Sequence, residues 1–415
     1  MHKIKKMIVL IMILLIAITV LAGCKADDKN NTATPTPTAV PAEEPAPTEA
    51  PEATPTATPT PVPIDYKNAV VKDIYADYFT VGAVLNGSGV GNAELKELVL
   101  THFNSLTMEN EMKPDAILDY HTSISDPKYN ESPAVKFNAA EGGIKFAKEN
   151  GLKMRGHTLI WHSQTPRWFF AEGYSMKHDA PLVSKEVMLK RMENYIKQVL
   201  EYYQTNYPGV IYAWDVVNEA INPGEGHPDG LRVESYWYRT IGDEYIEKAF
   251  EYARKYADPD VKLFYNDYNT EETPKVVAIT KLVKKIKEQG NIDGIGMQTH
   301  VKVDAPSLTD IDASVRAYAE LDVELQVTEL DVDLKGNTEE DIMKQATRYK
   351  RMFLYFKKWR DEGVNLTNVT FWGTIDGRSW LNKANEPSYP LLFDDNLEKK
   401  PAYFGVIQDP DIPLY

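Results

Sequence analysis

Two glutamates in this sequence stand directly after strongly apolar runs. Glu219, with its neighbour Asn218, follows "YAWDVV", and Glu329 follows "ELQVT". Taken singly, each carboxylate has an ordinary explanation, because strands end in polar residues and loops supply lysines and arginines as partners. Taken together, two carboxyl groups can cleave a glycosidic bond: one donates a proton, while the other attacks the anomeric carbon or activates water. Their separation decides between retention, at about 5–5.5 Å, and inversion, at about 6.5–9.5 Å.

The other apolar runs of the sequence also end in residues that can bind a ligand or transfer a proton. The runs cover residues 80–85, 103–110, 152–161, 211–220, 262–269, 292–300, 324–332 and 368–376. Seven of these eight runs end in amides, acids, imidazoles or indoles, which is too regular a pattern for solubility alone. The side chains at or near their ends are Glu109, Asn110, His157, Trp161, His162, Asn218, Glu219, Tyr268, Asn269, Gln298, His300, Glu329, Asp331, Trp372 and Asp376.

Amphipathic segments separate most of these runs. In "EVMLKRMENYIKQVLEYYQTNY", for example, apolar residues recur at three- and four-residue spacing, which is typical of a helix. Eight strands alternating with helices predict an α/β fold, a single (β/α)8 TIM barrel. An open doubly wound sheet is the alternative, but it favours a glycine-rich turn after an early strand, and none is present. Because barrel enzymes place their chemistry at C-terminal strand ends, this fold would gather the polar side chains at one mouth.

The first 63 residues differ in composition from the rest. Residues 1–23 combine a basic start with a short apolar run and end in "LAG" before Cys24, as bacterial lipoprotein signal peptides do. We expect cleavage before Cys24 and lipid attachment to it, which would hold the exported protein on the outer face of a bacterial membrane; an ordinary signal peptide with a chance cysteine is the alternative. Residues 24–63 are rich in Pro and Thr and predict a disordered linker. Residues 64–415 would form the barrel domain.

Composition limits the classes of function. The formal net charge of the 415 residues is −15, and nearly all of it lies outside the first 63, which disfavours binding to nucleic acids. The single cysteine, Cys24, excludes an internal disulfide, so stability must come from a core. The sequence has no phosphate loop, dinucleotide fingerprint or zinc-ligand cluster. We therefore expect no cofactor and no metal, and we expect a monomer.

The sequence resembles the family 10 glycoside hydrolases, the endo-β-1,4-xylanases, from Tyr66 to about Gln408. The motifs that carry the resemblance occur in the family's order: "RGHTLIWHSQTP", "WDVVNEA", "YNDYN", "GIGMQTH", "VTELD" and "FWGTIDGRSWL". The resemblance implies a (β/α)8 barrel and a retaining enzyme. It also implies that Glu219 is the general acid/base and Glu329 the nucleophile.

The resemblance further implies which residues support the reaction and bind the sugars. His300 would contact the nucleophile, Asp331 would orient that histidine, and Asn218 would bind the sugar 2-hydroxyl. Aromatic rings suit pyranoses, whose faces carry apolar C–H groups. The implied substrate-binding residues are Glu109, Asn110 and Lys113 on the glycone side, His157, Trp161, Gln298, Trp372 and Trp380 around the cleavage point, and Tyr268 and Asn269 on the leaving-group side. We expect His162 and Trp214 to be structural.

The sequence therefore predicts a lipid-anchored, retaining endo-β-1,4-xylanase that acts on xylan and xylo-oligosaccharides and contacts the membrane only through its N-terminal lipid. Two alternatives stay open. A β-1,4-glucanase, or a mixed xylan/glucan enzyme, would admit one extra hydroxymethyl group per sugar. A xylan-capture protein without activity is disfavoured, because both carboxylates and His300 are present.

Overall fold

The computed structural model describes residues 64–414. The predicted signal peptide, Cys24 and the Pro/Thr-rich linker lie outside the described residues. Within residues 64–414, no helix combines the length and the apolar character that crossing a membrane requires.

Parallel strands form a closed barrel at the centre of the described domain. The strands are Thr80–Leu85 (β1), Ser105–Met108 (β2), Lys153–Trp161 (β3), Ile211–Asn218 (β4), Lys262–Asp267 (β5), Gly294–Met297 (β6), His300–Lys302 (β7), Glu324–Asp333 (β8) and Leu366–Phe371 (β9). Each strand from β1 to β5 pairs with the next, β6 pairs with β8, β8 with β9, and β9 returns to β1. The short β7 continues from β6 after a two-residue break and pairs with the far end of β8. The ring has eight strands, which confirms the predicted TIM barrel.

The strands are buried on both faces, as expected where helices cover a parallel sheet. Every residue of β3 from Met154 to Ile160 is buried, and so is every residue of β8 from Leu325 to Val332. Such burial explains why the sequence shows near-continuous apolar runs instead of alternation.

Helices and loops cover the outside of the barrel. The helices are Val71–Ile74 (α1), Gly87–Val90 (α2), Ala93–His102 (α3), Pro114–Ile117 (α4), Tyr120–Ser123 (α5), Glu141–Glu149 (α6), Lys185–Asn206 (α7), Tyr236–Ile241 (α8), Tyr245–Tyr256 (α9), Thr273–Glu288 (α10), Leu308–Ala319 (α11), Glu339–Asp361 (α12) and Pro401–Val406 (α13). Short 3-10 helices lie in the loops at Pro127–Asn130, Arg167–Phe170, Glu172–Tyr174, Pro223–Glu225 and Asp376–Arg378.

The long helices begin at polar caps. Ser184 caps α7 and Ser307 caps α11, each by accepting a hydrogen bond from the backbone N–H three residues further on. Thr338 and Asp341 form a reciprocal capping box at the start of α12. These caps set where each helix starts, and therefore how long a loop separates it from the preceding strand.

Backbone hydrogen bonds continue just beyond the C-terminal ends of the strands. The N–H of Glu219 donates to the carbonyl of Asn266 at 2.9 Å, and the N–H of Glu329 donates to the carbonyl of Gln298 at 3.0 Å. Both glutamates are therefore held by the sheet that forms the core.

The chain enters at the other end of the barrel. Residues 71–79 lead directly into the first residue of β1. Lys399 Nζ donates to the carbonyls of Lys67 and Ala69 at 3.3 and 3.1 Å, and the Tyr403 hydroxyl donates to the Ala69 carbonyl at 2.8 Å. The first described residues are thus bonded to the last part of the described chain.

A fully buried ion pair joins β3 and β4 inside the barrel. Arg155 donates to both oxygens of Asp215, at 3.0 and 2.6 Å, and its Nε donates to Gln326 at 2.7 Å. Burial by itself raises the pKa of Asp215, but the charge of Arg155 and the hydrogen bond from His157 bring it below its ordinary value. Removing one partner would leave the other charge uncompensated in the core.

We therefore expect Asp215→Ala to lower the free energy of unfolding by about 3–5 kcal/mol, because Arg155 is left buried without its partner. Urea unfolding at neutral pH, followed by tryptophan fluorescence, measures the change. Asp260→Ala removes the same charge from an exposed site and should change the free energy of unfolding by less than about 0.5 kcal/mol. Equally small changes in both variants would show that the buried pair does not stabilise the barrel.

Candidate active site

A cleft of about 640 Å³ lies at the C-terminal end of the barrel. The structure brings the sequence-predicted site residues together there, with one exception: Asp331 lies behind the cleft wall, bonded to His300. The lining residues are Glu109, Asn110, Lys113, His157, Trp161, Gln164, Asn218, Glu219, Tyr268, Asn269, Gln298, His300, Glu329, Trp372 and Trp380.

Glu219 occupies a strained backbone position immediately after β4. Its φ is +56°, in the left-handed region that costs a non-glycine residue roughly 1–2 kcal/mol. The N–H bond to Asn266 and a bond from Arg232 Nε to the Glu219 carbonyl, at 2.9 Å, hold it there. Its carboxylate faces the cleft, where Trp161 Nε1 donates to Oε2 at 2.8 Å and Gln298 Nε2 donates to Oε1 at 2.9 Å. Both of these donors are neutral.

Glu329 is more deeply buried and faces different partners. Its side chain is 6% exposed, against 14% for Glu219. Asn266 Nδ2 donates to Oε1 at 2.7 Å, and His300 Nε2 donates to Oε2 at 3.1 Å. Burial by itself raises the pKa of Glu329, but the hydrogen bond from His300 and the positive charge nearby bring it below its ordinary value. Glu329 is therefore held ionised.

His300 lies between two carboxylates and is held as an imidazolium. Its Nδ1 is 2.9 Å from Asp331 Oδ2, and its Nε2 is 3.1 Å from Glu329. Burial opposes the charge, but the carboxylates of Asp331 and Glu329 raise the pKa of His300 to about 10. Trp380 Nε1 donates to the same Asp331 oxygen at 2.9 Å, and its ring packs edge-on against His300, 5.0 Å between centroids.

Two amides connect the carboxylates. Asn266 Oδ1 accepts a hydrogen bond from the Thr328 hydroxyl at 2.7 Å, which turns its Nδ2 toward Glu329. That nitrogen is 2.9 Å from Asn218 Oδ1, and Gln298 Nε2 is 3.2 Å from the same oxygen. The swapped orientation of the Asn218 amide would set its nitrogen against both of these nitrogens. We therefore assign the oxygen of Asn218 to this side.

On one side of the carboxylates, polar residues that follow β2 line the cleft. Asn86 Nδ2 donates to Glu109 at 3.0 Å, and Lys113 Nζ donates to Asn110 at 3.1 Å. The Lys113 ammonium also lies 4.8 Å from the centroid of the Trp161 ring. Burial lowers the pKa of Lys113, although surrounding carboxylates act in the opposite direction. This side can present a cation and oxygen acceptors to a row of hydroxyl groups.

On the other side, two cations hold Tyr268. Arg232 Nη2 donates to its hydroxyl at 3.1 Å. Lys275 Nζ lies 3.6 Å from the ring centroid, donates to the Tyr268 carbonyl at 2.7 Å and pairs with Asp267 at 2.7 Å. The ammonium covers one face of the ring, which leaves the opposite face for stacking against a sugar. Asn269 follows in the same loop, with a φ of +48°.

His157 and Trp372 lie between the two sides. His157 Nδ1 is 2.9 Å from Asp215 Oδ2, so the buried ion pair of the barrel connects to the cleft. The Trp372 ring is buried and meets the His157 ring edge-on, 5.3 Å between centroids. Trp380, by contrast, is 48% exposed and offers an open aromatic face.

Three site residues escaped the sequence reasoning: Gln164, Arg232 and Asn266. Gln164 lies in the motif "HSQTP" and donates to Asn110 at 3.3 Å. Asn266 lies within "YNDYN", so its motif was recognised but its role was not. Arg232 lies in a loop without periodicity, and no signal in the sequence identifies it.

His162 and Trp214 were both expected to be structural. Trp214 is a core residue, as expected. His162, however, lies near the site: its Nδ1 is 3.9 Å from Glu219 Oε2 and has no hydrogen-bond partner among residues 64–414. Burial, together with the charge of Arg232, lowers the pKa of His162 to about 4, so the ring is neutral. The described part of the chain contains no group of three or more His, Cys, Asp or Glu side chains that could hold a metal ion.

Glycosyl hydrolase family 10 matches residues 70–409 of the sequence. The chain belongs to this family, which confirms the resemblance seen in its motifs.

The relatives include curated proteins of several bacteria. Endo-1,4-beta-xylanase B of Butyrivibrio fibrisolvens is 41% identical over 342 residues, which cover 81% of this chain and 53% of that protein. Endo-1,4-beta-xylanase A of Thermotoga maritima is 40% identical over 352 residues, 83% of this chain and 31% of that protein. A putative endo-1,4-beta-xylanase of Caldicellulosiruptor saccharolyticus is 42% identical over 311 residues, 72% of this chain and 96% of that protein. The chain thus spans about half or less of the length of the first two relatives.

Solved structures show the same fold. The CBM22 and family 10 modules of a Clostridium thermocellum endo-1,4-beta-D-xylanase, complexed with xylohexaose, give a TM-score of 0.75 at 38% identity and cover 84% of this chain and 68% of that one. An intracellular xylanase from Thermoanaerobacterium saccharolyticum, a mutant complexed with xylotetraose, gives 0.70 at 38% identity and covers 81% of this chain and 97% of that one.

His300→Asn tests how Glu329 is kept ionised. The substitution removes the positive charge that lowers the pKa of Glu329, so that pKa should rise and the acidic limb of the kcat/KM profile should move to higher pH. We also expect kcat/KM at pH 6 to fall by about 10²-fold, as when one charge-stabilising donor is lost. The measurement is a pH series with an aryl β-glycoside. His121→Asn makes the same change at an exposed histidine and should leave the profile in place. An unmoved acidic limb in His300→Asn would contradict the assignment.

Proposed function

We propose that this protein is a retaining endo-β-1,4-xylanase that hydrolyses internal β-1,4-xylosidic bonds of xylan. The observation that carries the proposal is the unequal surroundings of two carboxylates in one cleft. Glu329 faces the His300 imidazolium, whereas Glu219 receives hydrogen bonds from a neutral indole and a neutral amide. A carboxylate beside a fixed cation stays charged and can attack, whereas one beside neutral donors can take up and release a proton.

In the first step, Glu329 attacks the anomeric carbon while Glu219 gives its proton to the glycosidic oxygen. The bond between that carbon and that oxygen breaks, and its electron pair stays on the oxygen of the departing sugar, which leaves as an alcohol. Positive charge develops on the sugar ring in the transition state. Asn218, beside Glu219, would bond the sugar 2-hydroxyl, a contact that strengthens as the charge develops.

In the second step, water replaces Glu329 at the anomeric carbon. Because the glycosyl ester of Glu329 is neutral, Glu219 no longer has a second negative charge nearby, and its carboxylate accepts a proton from the water. The water oxygen bonds to the carbon as the ester bond breaks, and Glu329 leaves as a carboxylate that the charge of His300 stabilises. Two inversions at one carbon retain the configuration.

The relatives support xylan as the substrate. Those reported above are named endo-1,4-beta-xylanases, and the two solved structures are complexes with xylohexaose and xylotetraose. A further relative from Acetivibrio thermocellus, 39% identical over 342 residues, is named exoglucanase XynX. Its name favours a second candidate, action on β-1,4-glucan as well, which requires space for one hydroxymethyl group per sugar.

We further propose that a lipid on Cys24 holds the protein at the outer face of a bacterial membrane. The support is in the sequence: small residues precede Cys24, and a Pro/Thr-rich segment follows it to residue 63. At about 3.1 Å per residue, an extended segment of this kind reaches roughly 120 Å. That reach would let the barrel act on a polymer outside the cell surface.

The proposed activity is tested by proton NMR of xylotetraose during the first minutes of hydrolysis. We expect the β-anomer of the product to appear first, because double displacement retains configuration. Glu329→Ala should abolish turnover and still bind xylan, since the nucleophile is lost and the other sugar contacts stay. Cellotetraose, run in parallel, distinguishes a strict xylanase from a mixed enzyme.

Two outcomes of this measurement would overturn the proposal. Appearance of the α-anomer first would mean that water attacks directly and that Glu329 is not the nucleophile. Binding of both tetrasaccharides without cleavage of either would favour the capture protein.

The anchor is tested by Cys24→Ser in a bacterial host that processes lipoproteins. Without the thiol there is no site for the lipid, so we expect most of the protein to move from the membrane fraction to the medium. Immunoblots of the two fractions measure the shift, and Ala26→Ser, two residues away, is the matched control that should stay with the membrane. Cys24→Ser protein found in the membrane fraction in wild-type amounts would exclude the anchor.

A further inference from the structure

A second cavity, of about 440 Å³, lies between the start of α11 and the middle of α12, outside the active-site cleft. It adjoins the loop that follows β7, the short strand that begins at His300. The residues that matter for its chemistry are Asp304, Ser307, Thr309, Arg348, Arg351 and Tyr355. We refer to it as the arginine cavity.

Arg348 is a buried cation with few partners. The residue is 7% exposed, and its Nη2 donates to the Pro306 carbonyl at 2.6 Å. Its Nε is buried and has no hydrogen-bond partner among residues 64–414. In the same part of the chain, Arg348 forms no hydrogen-bonded ion pair with a carboxylate. A guanidinium carries five N–H donors, so most of the capacity of Arg348 is unused.

Other buried arginines of the domain are better satisfied. Arg155 pairs with both oxygens of Asp215. Arg191 has no carboxylate partner but donates four hydrogen bonds to oxygen atoms of the chain and lies 3.9 Å from the centroid of the Tyr174 ring. An uncompensated buried charge is costly. Of these three arginines, Arg348 is therefore the one that would gain most from an additional partner.

The surroundings of Arg348 favour a negatively charged partner. Burial and the positive charge of Arg351 lower the pKa of Arg348 to about 10, whereas the carboxylates of Asp304 and Glu271 act in the opposite direction. Ser307 caps the first turn of α11, whose positive dipole end therefore also borders the cavity. Asp310, in that turn, already bonds the Ser307 hydroxyl at 2.7 Å. Two guanidinium groups against one lining carboxylate leave an excess of positive charge.

We propose that the arginine cavity is an oxyanion-binding site in which Arg348 and Arg351 bind the oxygens of a carboxylate or phosphate group. A guanidinium presents parallel N–H groups that match such oxygens, and hydrogen bonds to an ionised acceptor are about twice as strong as neutral ones. The hydroxyl groups of Thr309 and Tyr355 line the same cavity and can complete the coordination of the anion.

Two sources can supply this chemistry. One is free inorganic phosphate. The other is the carboxylate of a uronic acid carried as a side group on a glycan, and this source rests on the proposed function, since a glycan substrate would bring the acid to this end of the barrel. In either case the site is a binding site and takes no part in bond cleavage.

The test is isothermal titration of the purified full chain with sodium phosphate and, separately, with sodium glucuronate, at constant ionic strength. We expect saturable binding of at least one anion, with a Kd at least about tenfold weaker in Arg351→Met. The same anion should raise the Tm of the wild type but not that of Arg348→Met, which keeps the volume of the side chain and removes its charge. Arg316→Met is the matched control, because it removes an equal charge from an arginine of α11 that is already paired with Asp312 and Glu362.

The outcomes distinguish the two sources of the anion and test whether the arginine cavity binds an anion at all. Binding of phosphate alone or of glucuronate alone identifies the source, and binding of both defines a general oxyanion site. No saturable binding of either anion, or an equal loss in Arg316→Met, would overturn the proposal. Because the readout is binding, its failure would leave the proposed xylanase activity untouched, and failure of that activity would leave this result standing.

Discussion

One amide, that of Asn266, connects the parts of the active site. The backbone carbonyl of Asn266 accepts the N–H of Glu219, and its side-chain nitrogen donates to Glu329 and to Asn218. The two carboxylates therefore share a common support inside the sheet, and their relative position is set by β4, β5 and β8. Thr328, on the strand of Glu329, keeps this amide in its orientation. A substitution at Asn266 would remove the donor to Glu329 and Asn218, whereas the backbone carbonyl that holds Glu219 would stay.

Around this support, charge is distributed unequally. His300 and the buried carboxylate of Asp331 give Glu329 a permanent cationic neighbour. Glu219 has an indole and amides instead, on a strained turn that Arg232 secures through the backbone. Arg232 also binds Tyr268, so the ring that would stack on the departing sugar and the carboxylate that would protonate it are positioned by a single guanidinium. Under the proposed mechanism, this coupling would link the affinity for the leaving group to proton delivery.

The sequence predicted the barrel and most of the cleft because both follow from local patterns. Alternating runs and helices define the fold, and residues such as Glu219, Gln298 and Trp372 fall at the ends of those runs. The rest depends on register or on loop geometry. The role of Asn266 arises from its pairing with Asn218 across β4 and β5, which no local pattern specifies. His162 looked structural because the turn after Trp161 decides which way its ring faces. In the sequence, Arg348 looks like any other charged residue on an amphipathic helix. Only the packing of α11 against α12 shows that it is buried.

The entry of the chain at the N-terminal end of β1 has a mechanical consequence. The segment that leads into β1 is bonded to Lys399 and Tyr403, which lie in the last part of the described chain. Tension along that segment would be taken up by these contacts before it reached the strands that carry Glu219 and Glu329. These contacts would therefore separate a pull on the N-terminal segment, from a moving polymer or from flow, from the geometry of the cleft.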